Sequence, residues 1–170
     1  MSNGILDFSI ISRIRRNHAL EHATMHVLAS KHQGLVMMGV SGLSGFVLFA
    51  DLPTQTICEA AMEGLERLRN GEAALAVHHN CGTNLAAPGL VAGMVAWAAM
   101  LGSGKKSKLK LHRLLLAALL AVLAFFLSKP LGPYLQQKVT TSAKPGSLEI
   151  FQVTTQKING KSIHRILTRH

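Results

Sequence analysis

Leu85-Ala86-Ala87-Pro88-Gly89-Leu90-Val91-Ala92-Gly93-Met94-Val95-Ala96-Trp97-Ala98-Ala99-Met100-Leu101 carries no charge. As a helix, at ~1.5 Å per residue, it reaches roughly 25 Å, somewhat short of a ~30 Å hydrocarbon core. A second apolar run, Leu114 to Leu127, follows a basic loop. Two adjacent apolar runs around a basic segment read as a transmembrane helical hairpin over 85–128. His112, Arg113 and Lys129 can snorkel to the interface, and Pro88, Gly89 and Gly93 permit a bend or close helix packing. The alternative is a hairpin buried in a soluble core, because spans this short are ambiguous in isolation.

Composition points the same way. The chain has 170 residues, room for one compact domain and an extension. Its charged fraction is 15% and its mean hydropathy is positive, both unusual for a soluble domain. The net charge of +10 invites a nucleic-acid reading. The placement of Lys105, Lys106, Lys108, Lys110 and Arg113 between the apolar runs, and of Lys129 after the second, suits a membrane better. With one Trp and one Tyr there is little to stack bases on, so no nucleic-acid partner is expected. Cys58 and Cys81 are too few for a disulfide framework, although one bridge between them stays open. The run Ile5 to Ile11, broken by Asp7 and Ser9, does not read as a signal peptide.

The expected fold is an α+β N-terminal domain over 1–84, the two-helix transmembrane hairpin over 85–128, and a short C-terminal β-hairpin within 129–170. Ser9 to Ser30 lacks Gly and Pro and reads as a helix ending before Gly34. Leu35 to Val40 and Phe46 to Phe49 read as two buried strands, with Met37 and Met38 in the core. Pro53 opens a helix over Thr54 to Arg69 that Asn70-Gly71 ends, with Cys58 buried on it. Ala73 to Val77 reads as a third strand. Pro130 and Pro133 stop the second span, and Leu148–Ile158 and Lys161–Leu167 flank the turn signal Asn159-Gly160. That hairpin packs on the first region or on the membrane surface. The basic loop is nearly balanced by Arg69, Lys129, Lys138 and Lys144, so the expectation of a multi-pass protein with a cytoplasmic N-terminal domain rests on a narrow difference.

His18-Ala19-Leu20-Glu21-His22 is the motif that carries chemistry. Helical spacing puts His18, Glu21 and His22 on one face, with His26 one turn further. Two imidazoles four residues apart can bind one Zn²⁺, and Glu21 can serve as general base toward a coordinated water. The loop His78-His79-Asn80-Cys81-Gly82-Thr83-Asn84 is its natural complement. Adding Cys81 or His79 to His18 and His22 gives three ligands and leaves one position open, with His78 and His26 as further options for the third ligand. Alternatively, Asn80, Thr83 and Asn84 cap the first span, and Cys81 is a small buried hydrophobe. His32, His112, His164 and His170 are isolated and read as surface or interfacial residues, while Arg13, Arg15 and Arg16 face water or head groups.

The five residues His18 to His22 resemble the inverted zincin motif of insulinase-type peptidases, which implies His18 and His22 as ligands and Glu21 as base. That family takes its third ligand from a distant downstream Glu, and here no acidic residue lies between Glu72 and Glu149. Arg16-Asn17-His18-Ala19-Leu20-Glu21-His22-Ala23-Thr24, with Asn80-Cys81-Gly82-Thr83-Asn84 before the hairpin, resembles an uncharacterised family of small bacterial membrane proteins. That resemblance implies a membrane location and an N-terminal α+β domain. Three functions follow as expectations: a membrane-bound zinc hydrolase or peptidase, a non-enzymatic assembly or scaffold protein with an unknown protein partner, and a lipid-binding protein. The lipid bilayer is the expected partner in each.

Overall fold

Helix α1 (Ser9–Lys31) is the central element of the fold, since almost every side chain from Asn17 to Leu28 is buried. The computed structural model describes residues 6, 8–101 and 107–170. Part of the basic loop, and Ile5 and Asp7 of the first apolar run, lie outside those residues. Helix α2 (Thr54–Arg69) begins after Pro53 and ends at Asn70, and Gly71 takes the left-handed conformation (φ +90°) that stops it. It packs along α1 through Gly64, where a Cβ would stand 3.1 Å from the Ala23 carbonyl carbon.

Four strands form one antiparallel sheet in the order β1-β2-β4-β3, namely β1 (Met38–Gly42), β2 (Gly45–Phe49), β3 (Glu149–Ile158) and β4 (Lys161–Arg169). Positive φ at both Asn159 and Gly160 gives the tight turn that the Asn-Gly pair announces. The C-terminal hairpin is the other half of this sheet rather than a surface appendage, for β4 pairs with β2 at Val47↔Arg165 and Phe49↔Ile163. The inner face sets Phe46, Leu48 and Ile166 in one core with Leu20 and Leu28 of α1 and Ile57 of α2.

Several expectations change here. The strand expected from Leu35 begins only at Met38, and its outward residues Met38 and Val40 are 58% and 57% exposed, because α1 and α2 pack on one face of the sheet only. Met37 alone of the methionine pair packs on the core. Ala73–Ala76 is a 3₁₀ helix rather than a strand. Alanine has little strand preference, and local bonds such as Leu75 N–H to the Glu72 carbonyl (3.1 Å) satisfy the backbone without a ladder. His164 is fully buried rather than superficial: Nε2 donates to the Ala50 carbonyl (2.9 Å), and Nδ1 accepts from the Thr155 hydroxyl (2.7 Å). Arg15 is likewise pinned, donating to the Lys138 and Thr141 carbonyls (3.1 and 2.9 Å). No disulfide joins Cys58 and Cys81, and Cys58 is half-buried.

The chain divides into two compact units, residues 1–78 with 136–170 and residues 79–135. The second holds α3 (Thr83–Met100), α4 (Ser107–Leu127) and the short α5 (Leu131–Leu135). Helices α3 and α4 pack together, and the Arg113 guanidinium donates to the Leu101 carbonyl (2.8 Å). Gly132 of α5 lies against Asn84, in space that any Cβ would fill. Helix α3 is long and apolar enough to cross a membrane, and Leu111–Leu127 with its bent continuation Leu131–Thr140 makes a second such stretch. Leu90, Trp97, Leu115, Leu119 and Phe126 all point outward, and only 6% of the α3 stretch is buried. This is the inverse of α1, which buries its side chains with the core.

Candidate metal centre

The middle of α1 buries four polar side chains, Asn17, Glu21, His22 and Thr24, and each is held by a hydrogen bond. Burial of such groups is tolerated only where partners replace water. Asn17 donates to the Gly42 carbonyl (2.8 Å) and accepts from the Thr168 hydroxyl (2.7 Å), joining α1 to both halves of the sheet. Ser41 of β1 donates to a carboxylate oxygen of Glu21, and a Cβ at Gly39 would fall on that carboxylate. Glu21 is therefore seated against β1.

His18 and His22, one turn apart, meet edge to face with ring centroids 4.3 Å apart. Their orientation comes from backbone carbonyls at the ends of irregular helical turns. His22 Nδ1 lies 2.8 Å from the Ala76 carbonyl and His26 Nε2 lies 2.8 Å from that of Val77, both at the end of the 3₁₀ helix. His18 Nδ1 lies 3.0 Å from the Thr140 carbonyl, which closes a π-helical turn at Gln136–Thr140. Terminal carbonyls of such turns lack an intrahelical donor, and the imidazoles supply one. A carbonyl only accepts, so His18 and His22 donate from Nδ1 and carry their lone pairs on Nε2, the form in which a metal takes histidine.

His18, His22 and Cys81 are a possible metal-binding group. Cys81 stands three residues beyond His78, whose N–H donates to the Gln136 side-chain carbonyl (2.8 Å). His78 is buried, with its ring 5.7 Å from His22 and 4.8 Å from His26. His79 is exposed, is not one of the three, and its carbonyl accepts from Asn84 (2.7 Å). Gly82 occupies the N-cap of α3 and has no side chain to cap it.

The family model for a domain of unknown function, DUF6391, matches residues 13–153. The chain belongs to the DUF6391 family. It is 34% identical over 167 residues to an uncharacterized protein of Picosynechococcus sp., covering 92% of this chain and 79% of that protein. No solved structure matches the chain significantly. The DUF6391 match takes in α1, the 3₁₀ turn, Cys81, both apolar helices and the π turn. The carbonyls of Ala76, Val77 and Thr140 escape a reading of residue types, because any residue supplies one. Gly39 and Ser41 gave a faint signal, two small residues inside an apolar strand.

Proposed function

We propose that this DUF6391 chain is a membrane-anchored zinc hydrolase, with His18, His22 and Cys81 as ligands and Glu21 as general base. The observation that carries the reading is the pair of imidazoles, one turn apart on α1, both tied through Nδ1 to backbone carbonyls. Such outer partners fix the tautomer and aim the opposite nitrogen, as ligating histidines require. Two nitrogens and one sulfur suit zinc, and three protein ligands leave a position for water. When bound there, zinc supplies Lewis acidity that makes such a water acidic near neutral pH. Glu21, adjacent in sequence to His22 and steadied by Ser41, would be the base that holds the proton. Cys81 precedes α3 by two residues in the chain, and a ligand that close in sequence to the anchor favours a peptide or other substrate met at the bilayer surface. The spanning reading is of a multi-pass protein with its N-terminal region in the cytoplasm.

One observation favours a second reading, a non-enzymatic assembly or scaffold protein with a closed structural site. Buried His78, 5.7 Å from His22, is near enough to serve as a fourth ligand after a small adjustment. Metal analysis of the detergent-purified full chain tests both readings. About one zinc per chain is expected, lost in His22→Ala and in Cys81→Ser. Negligible zinc in all three proteins would remove both. Retention of zinc in His78→Ala, together with loss of peptide-library hydrolysis in a zinc-loaded Glu21→Gln variant, supports the hydrolase. Loss of zinc in His78→Ala supports the closed site.

A further inference from the structure

Among the described residues of the sheet's own unit, the helices α1 and α2 pack on the inner face of the sheet and leave the outer face uncovered. Strand pairing places Met38, Val40, Val47, Phe49, Ile163 and Leu167 on this one face. Met38 and Val40 are largely exposed, and the others are half-buried by one another along the pleat. Lys161, Arg165 and Arg169 alternate with Ile163 and Leu167 along β4 and stand exposed on the same side. The Arg169 guanidinium lies over the Phe151 ring at 3.6 Å, so its charge is held at the surface by an aromatic platform. Glu149, paired with Arg169 at one end of β3, is the acidic residue on this face among the described residues. At the same end Arg13, Ser44, Thr168, Arg169 and His170 line a cleft in which none of the described lining residues is acidic. Burial, and then the nearby Arg16 and Arg13, hold the His170 imidazole below its ordinary pKa, a consequence of that positive surround.

We infer that this face is an interaction surface for an anionic lipid bilayer, with its apolar residues at the head-group boundary and Lys161, Arg165 and Arg169 on lipid phosphates. Apolar side chains interleaved with basic ones are the combination that binds such a surface, because burial and charge attraction add. A soluble acidic partner would engage the arginines but would leave Met38 and Val40 in water. The inference rests on the membrane-spanning reading, since a span in the same chain tethers the sheet to a bilayer and raises its effective concentration there enough for weak attraction to act.

The test uses the full chain in nanodiscs of phosphatidylcholine alone and of an equal mixture with phosphatidylglycerol. Met38 and Met62 are 58% and 59% exposed, and Met62 sits on α2 beside β3, at the edge of the sheet opposite to β1 and Met38, so it is an internal reference. Their rates of mild peroxide oxidation are read by mass spectrometry. In the anionic discs Met38 should oxidise several-fold more slowly than Met62, and it should recover in high salt and in K161E/R165E. The milder K161Q/R165Q serves if charge reversal harms folding, and both variants leave the Arg169–Phe151 contact in place. Equal rates for Met38 and Met62 in both lipids would overturn the inference while leaving the spanning reading intact. Protection that persists in neutral discs and in the variants would overturn it in favour of a protein contact over the face. Failure of the chain to enter nanodiscs would remove the spanning reading, and this inference with it.

Discussion

Gly39 shows how much of this protein turns on single atoms. Its missing Cβ is the space in which the Glu21 carboxylate rests, and Ser41 two residues on closes that seat. The carboxylate is buried and hydrogen-bonded, so it cannot swing aside at little cost. Gly39→Ala is expected to destabilise the chain by about 1–3 kcal/mol, read as a lower midpoint in chemical denaturation. Adding Glu21→Ala should recover part of that loss, because the clash needs both partners. Additive penalties would show that the crowding lies elsewhere. Residue type alone made Glu21 and His22 legible as chemistry on a helix. What steadies them, a missing methyl group and two carbonyls, has no residue-type signature.

Among the elements, α2 was the most readable and the segment after it the least. Pro53, the spacing of Ile57, Ala61, Leu65 and Leu68, and Asn70-Gly71 are local signals that act within one or two turns. Ala73 to Val77 offered no comparable signal, and the 3₁₀ turn that forms there matters. In a strand, the Ala76 and Val77 carbonyls would bond along a ladder instead of orienting His22 and His26. Helix α1 depends on close approach to α2 at Gly64, against Ala23 and Thr24 in the same stretch as His22. Gly64→Val should cost about 1–3 kcal/mol through overpacking and lower the midpoint of thermal unfolding. On the proposed zinc reading it should also lower zinc affinity, because His18 and His22 ride on α1. An unchanged midpoint would mean that the two helices can separate freely there.

At the scale of the whole molecule, the sheet is made from both ends of the chain, with two apolar helices between the halves. Strand β4 covers an edge of β2 and supplies Ile166, while Leu148 just before β3 enters the same core. Truncation after Pro145 is expected to leave β2 open and the core unfilled. The shortened chain should lose its cooperative unfolding transition and become sensitive to proteolysis within 9–78. Retained cooperativity would show that the N-terminal half folds without the hairpin. The two helices, the Asn-Gly turn, the apolar runs and the His-x-x-Glu-His spacing were all legible beforehand, since each expresses a preference that operates over a few neighbouring residues. The exposed outer strand residues, the burial of His164 and the carbonyls that orient His18 and His22 were decided only in the folded chain. Those outcomes depend on which strand edge meets which and on which carbonyl is left without a donor, and distant segments set both.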